Sequence, residues 1–227
     1  MILLKVLVGI LFQILFFGAL LILPSQGANW FEAYFFLAYY ACIAIPYGIF
    51  SANYYPKGME ARMVVSSPQQ SVKDKIIMAV IVLIFILGIL LIPIDLFYLS
   101  IIEKASFTFQ LLGLIIFTAG FLIIGKAQNQ NDFIEPVVEI QKDRGHVVID
   151  SGLYEHVRHP MYTGFILFFA GMALWHGSIF VTLLVSVSLF LALAYRIRSE
   201  EEVLEKDLEG YLEYKKKVKS KIFPKLF

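Results

Sequence analysis

The chain has 227 residues, of which 59% are hydrophobic and 16% charged, and its mean hydropathy is +0.76. Soluble domains hold about 45–50% apolar residues, so the composition excludes a water-soluble globular protein and reads as an integral membrane one. The net charge of +1 says little by itself, but a single cysteine, Cys42, excludes an internal disulfide and any CxxC metal site. Cys42 lies in an apolar run, where a small packed hydrophobe is expected.

A bilayer core takes about 20 apolar residues per helix. Residues 2–23 supply the first span, closed by the turn-forming PSQGAN. A signal peptide is the other reading of such a segment, but no small-residue cleavage pattern precedes Pro24, so it is kept as a span. The second is 30–50, with Trp30 and Tyr34 near one interface and Tyr54 and Tyr55 just past the other. The third is 76–98, with Pro93 and Asp95 near one end, and the fourth is 107–125. MYTGFILFFAGMALWH, 161–176, has only 16 residues, short for a full crossing unless the membrane is thin or the protein shields it. After HGS, 179–195 returns and completes a tight helical hairpin.

Six crossings divide the basic residues unevenly. Lys104 lies alone on one side, while the other 18 of the 19 Lys and Arg fall in the loops 51–75 and 126–160, the tail, or at Lys5. This bias places both termini and the polar loops in the cytoplasm. The predicted fold is all-α, a polytopic bundle in two parts. Residues 1–125 hold four spans, and 126–227 hold the loop 126–160, the hairpin 161–195 and an amphipathic tail helix 196–219. Leu204, Leu208, Tyr211 and Leu212 recur along that tail at helical spacing, a pattern that also suits a helix lying on the membrane.

The sequence has no GxGxxG after a strand, no GxxxxGK[ST], no HExxH and no GxSxG. His156 and His159 are three apart but lack a third ligand nearby, so no metal is expected. Three of the four histidines instead crowd into 146–159, beside SGLYEHVRHPMYTG at 151–164. Pro160 suits the first position of a helix, which puts His159 at the cap and Arg158, Tyr154 and Tyr162 around it. A helix mouth with an arginine attracts an anionic group such as a carboxylate. A second cluster, RIRSEEE at 196–202, lies where the last span leaves the membrane, with Arg196 spaced to pair with Glu200 and Arg198 with Glu202. The hairpin returns this cluster to the side of Arg158 and His159.

These two stretches resemble the isoprenylcysteine carboxyl methyltransferases and their relatives, the phospholipid methyltransferases. The family pattern G-x-Y-x-x-x-R-H-P-x-Y-x-G is met at Gly152, Tyr154, Arg158, His159, Pro160, Tyr162 and Gly164. Its tail pattern is met at Arg196, Glu200, Glu201, Leu204, Tyr211, Tyr214, Val218 and Pro224. The likeness covers about residues 140–224, with two departures. LEG precedes the Y-x-x-Y where the family has Phe-Gly, one residue short, so which of Glu200, Glu201 and Glu202 form the family's pair stays open; Leu153 replaces a proline.

The resemblance implies a membrane methyltransferase that uses S-adenosylmethionine without a Rossmann domain. It places the cofactor against Gln141, His146, Gly152, Tyr154, Arg158, His159, Pro160, Tyr162 and Glu201, and assigns Arg196, Glu200 and Glu201 to catalysis. A lipophilic small molecule or lipid would enter sideways from the bilayer, with no metal and no nucleic-acid partner expected. Chemically, the cofactor needs partners for a carboxylate, an ammonium, a ribose, an adenine and a sulfonium. An arginine at a helix mouth suits the first, glutamates the second or third, and tyrosines the ring. An anionic acceptor needs no base, whereas an amine must lose a proton to a Glu or His. Both options are present, and neither the acceptor nor the oligomeric state is readable. Two other readings are an NADPH-dependent sterol or steroid reductase, which the Phe165 after Gly164 argues against, and a non-catalytic membrane protein with basic anchors.

Overall fold

The computed structural model describes residues 2–63, 70–137 and 140–225. Positions 64–69 of the first basic loop, 138–139 of the second, residue 1 and residues 226–227 lie outside the described residues. Helices account for nearly all regular structure: α1 (Ile2–Ile22), α2 (Phe31–Tyr54), α3 (Pro56–Ala61), α4 (Val72–Ile94), α5 (Phe107–Gln130), α6 (Pro160–His176), α7 (Ile179–Asp207) and α8 (Tyr211–Lys217). Among the described residues no strand forms. The expected all-α membrane bundle is what the chain builds.

Each predicted span becomes a helix, and the polar ends run further than hydropathy alone suggests. Ser71 caps α4 by accepting from the Asp74 N–H at 3.1 Å, which starts this helix at Val72 rather than 76. α5 continues past Gly125 to Gln130, bringing its last turn into the polar region. Five helical segments are long and apolar enough to cross a membrane, namely Ile2–Ser25, Phe31–Tyr54, Val72–Leu99, Phe107–Gln130 and Ile179–Asp207.

α6 is the exception. At 17 residues it is about 26 Å long, short of the roughly 30 Å hydrocarbon core. Protein rather than lipid surrounds it, since Phe168, Met172, Ala173, Trp175 and His176 are all buried. A helix apolar on every side belongs inside a bundle. Its closest neighbour is α5, against which glycines spaced seven apart let the two backbones touch. A Cβ on Gly120 would lie 2.4 Å from the Phe168 nitrogen, and one on Gly171 2.2 Å from the Phe117 nitrogen. The core around this seam is aromatic, with Phe117 and Phe168 4.5 Å apart and Phe36 4.9 Å from Phe117.

Two expectations require correction. The tail is not one helix over 196–219, because α7 runs unbroken to Asp207 and a turn with Gly210 at φ +83° separates it from α8. Leu208, Tyr211, Tyr214 and Val218 then fold back to pack on Tyr154, so their apolar face meets protein and not a membrane surface. Cys42 is not packed; it is exposed on the outer face of α2, where lipid would meet it.

Candidate active site

The polar ends of α4, α5, α6 and α7 converge at one end of the bundle, and the segment 131–159 lies across them. Local chemistry shapes this segment. Asn131 accepts from the Phe133 N–H at 2.9 Å, starting a turn beyond α5. Gly152 sits at φ +63°, and a Cβ there would be 1.9 Å from the Gln130 side chain, so only glycine fits. That close approach lets Gln130 accept from the Leu153 N–H at 3.1 Å. Gln141 is buried; it donates to the Phe133 carbonyl at 2.8 Å and accepts from Arg144. Arg144 also pairs with Glu135 at 3.2 Å. His146 stacks on Phe133 at 4.4 Å, and burial with Arg144 nearby holds its imidazole below the ordinary histidine range, so the ring is neutral at pH 7.

Two buried arginines organise the helix ends. Arg158 donates from Nε to Glu201 at 2.7 Å and from Nη1 to the Val218 and Lys219 carbonyls at 2.5 and 2.8 Å. His159 Nε2 lies 3.2 Å from the same Glu201 oxygen, and Lys215 approaches the other at 3.4 Å. The tail is then stitched across the mouth of α6. The Arg158 and His159 N–H groups donate to the Ser220 and Lys221 carbonyls at 3.0 and 2.8 Å, and the Thr163 hydroxyl donates to Ile222 at 2.5 Å. Arg196 donates to Asp74 at 3.0 Å, to the Tyr162 hydroxyl at 3.0 Å and to the Pro136 carbonyl at 2.7 Å. Tyr162 in turn donates to Glu200 at 2.7 Å. Gln70 completes the chain by donating to the second Asp74 oxygen at 2.7 Å.

A partly open cavity of about 110 Å³ lies between these groups. Of the predicted residues, His146, Tyr154, Arg158, His159, Pro160, Tyr162, Arg196 and Glu200 line it. Gln141, Gly152 and Glu201 do not, and serve as the frame behind the wall. Between the two glutamates left open by sequence, Glu200 faces the cavity with its side chain 25% exposed, while Glu201 is enclosed by Arg158 and His159. Arg196 is not a free clamp for a carboxylate, because its Nε, Nη1 and Nη2 each donate to a protein partner. Arg158 commits Nε and Nη1 to protein, and the tail carbonyls take the Arg158 and His159 N–H groups. Arg196 pairs with Asp74 and not with Glu200, and no ion pair joins Arg198 to Glu202 among the described residues.

Sequence reasoning missed Asp74, Phe133 and Asn131, and treated Tyr211 and Tyr214 only as part of a tail pattern. Tyr211 lines the cavity, and its hydroxyl is buried without a hydrogen-bond partner. Burial, with Glu201 and Glu200 close, pushes its phenol up, so it remains a neutral donor. The Tyr214 hydroxyl donates to the Tyr154 carbonyl at 2.8 Å and ties α8 to the loop. Asp74 had a legible signal, the single acid of α4, set between Lys73 and Lys75 before a long apolar run.

The cavity is thus lined by aromatic and carboxylate groups together with apolar side chains, Met161, Leu204 and Leu208 among them. Residues 108–209, which include most of it, match the family model described as phospholipid methyltransferase. The resemblance carried by the two motifs holds. Over 110 residues the chain is 31% identical to protein-S-isoprenylcysteine O-methyltransferase of Schizosaccharomyces pombe, an alignment covering 45% of this chain and 47% of that protein. The match therefore spans about half the length of that curated relative. A solved structure of isoprenylcysteine carboxyl methyltransferase, described as a eukaryotic intramembrane Ras methyltransferase, superposes with a TM-score of 0.56 at 20% identity. It covers 91% of this chain and 73% of its own, so the bundle architecture is shared well beyond the motif-bearing half.

Proposed function

We propose that the protein transfers a methyl group from S-adenosylmethionine to a lipophilic acceptor at the cytoplasmic face of the membrane. The observation that carries this reading is the cavity of mixed aromatic, carboxylate and apolar lining at the polar ends of α6 and α7, within the segment matched by a methyltransferase family. Its residues suit the donor's chemistry. Glu200 offers a carboxylate to an ammonium or a ribose, and Phe133, His146 and Tyr154 offer aromatic faces to an adenine ring or a cation. The Tyr211 hydroxyl, a buried donor without a partner, is available to a carboxylate.

S-adenosylmethionine supplies an electrophilic methyl group on a sulfonium. What the chain contributes is alignment, which can lower a bimolecular barrier by about 7–11 kcal/mol. The Arg196–Tyr162–Glu200 chain fixes the carboxylate, and the Arg158–Glu201 pair fixes the tail that closes the roof. Met161, Leu204 and Leu208 give an isoprenoid or acyl chain an apolar surface in the same cavity. The cytoplasmic placement rests on the one-sided distribution of Lys and Arg.

The test is transfer of labelled methyl from S-adenosylmethionine by the purified protein to a prenylcysteine analogue and to a total lipid extract. Label appears in an organic-soluble product, and release by mild base identifies an ester. A folded protein that neither binds the cofactor nor labels either acceptor overturns the proposal.

A further inference from the structure

A second cavity lies on the other side of α6. Where α1 and α2 face the polar-loop ends of α5 and α6, they border a largely apolar chamber of about 570 Å³. Phe17, Tyr40, Phe121 and Phe168 wall it, and Lys5 and Arg62 line it at the end where the polar loops gather. No carboxylate is among the residues that line it. Gln128 lines this chamber and approaches the Met161 sulfur at 3.9 Å, while Met161 lines the first cavity. The two spaces are back to back, divided by that contact.

Arg62 is the unusual group here. One guanidinium nitrogen donates to the Gln128 carbonyl and another meets only the Met59 sulfur at 3.1 Å. Its Nε is buried without any partner. Asp132 is close, since a Cβ on Gly58 would touch both residues, yet the two do not reach ion-pair distance. A half-buried guanidinium with a buried, unpartnered Nε at the mouth of an apolar chamber is costly unless an anion meets it. We propose that this chamber binds an anionic phospholipid, with its phosphate against Arg62 and Lys5 and an acyl chain between the hairpins. Two cations line the chamber while Asp132 stands outside its lining, which gives the head its sign, and the apolar walls give the tail its place. The site is separate from the transfer cavity, so the inference stands whether or not methyl transfer is the reaction.

Gly9 makes a clean test possible. It lines the chamber, and a Cβ there meets nothing within 4 Å, so Gly9→Leu introduces a side chain at a position with open space for its first carbon. The experiment is native mass spectrometry of the protein in a neutral detergent, titrated with phosphatidylglycerol, phosphatidylcholine of the same chains, or oleate. Phosphatidylglycerol is expected to be retained in preference to phosphatidylcholine. Arg62→Gln should weaken it about 10- to 100-fold, the loss of one charge-assisted hydrogen bond, and Gly9→Leu should weaken it comparably. Thermal unfolding and S-adenosylmethionine binding report on the fold and on the other cavity, and both should be unchanged in Gly9→Leu. Equal retention of the two phospholipids, retention unaffected by either variant, or retention of oleate alone overturns the proposal.

Discussion

Tyr211 shows how a single side chain can be strained by function. Its hydroxyl is buried against the cavity without a partner, so Tyr211→Phe removes a desolvated polar group rather than a bond. Stability should hold or rise slightly, while affinity for S-adenosylmethionine should fall about tenfold, a loss near 1.4 kcal/mol readable by calorimetry. Unchanged affinity would remove Tyr211 from the site. His146 gives a pH signature. Its folded-state pKa is depressed by burial and Arg144, so the unfolded chain binds the extra proton first. Its contribution is full above the ordinary histidine pKa of about 6.5 and is lost as pH falls below it. Melting curves at pH 7.5 and 5.5 should therefore differ less in His146→Phe than in the parent protein. At this scale the sequence was informative where a motif fixed spacing, as at Arg158, His159, Pro160 and Tyr162. It marked Asp74 only as an acid in an apolar helix and not its partner, Arg196, which lies 122 residues away on another helix. It also misassigned Arg196 to Glu200, because helical spacing allows a pair without showing that a better one exists.

Between elements, the decisive contacts are the tail across α6 and the seam between α5 and α6. Arg158 holds Glu201 and two tail carbonyls, so Arg158→Ala leaves a buried carboxylate and loosens residues 218–222 together. Breaking one partner of a buried pair costs about 3–5 kcal/mol. The variant should lose thermal stability by that amount and gain early proteolysis after Lys217, and a loss of activity without either change would contradict this role. The α5–α6 seam predicts a steric effect instead. Gly120→Val would push a branched side chain into the backbone at Phe168, and overpacking of this kind costs about 1–3 kcal/mol or more. Folded protein recovered in detergent should drop sharply, whereas Gly9→Ala, with open space, should express normally. The spans were legible because hydropathy and length are local properties. The burial of α6 and the break at Gly210 were not, because they depend on which surface meets which helix.

At the level of the whole molecule, the site joins two halves of unequal legibility. The motifs lie in α6 and α7, yet Asp74 comes from α4, in the half whose sequence is generic apolar helix. Gln70, Asp74, Arg196, Tyr162 and Glu200 form one hydrogen-bonded chain, so α4 sets where the Glu200 carboxylate points. Both members of the Arg196–Asp74 pair are nearly enclosed, with side chains 4% and 6% exposed. Asp74→Asn should therefore cost about 3 kcal/mol by leaving a buried guanidinium without its counter-charge. Arg196→Met should cost a similar amount by stranding the carboxylate. If the pair is a single unit, the double variant loses less than the sum, with a coupling of about 1–3 kcal/mol. Donor binding should weaken in both single variants, because Tyr162 loses its anchor or its alignment with Glu200. Denaturant melts in mixed micelles measure the first effect and calorimetry the second. Additive stability losses with unaltered donor affinity would show that α4 supports the bundle without setting the geometry of the cavity.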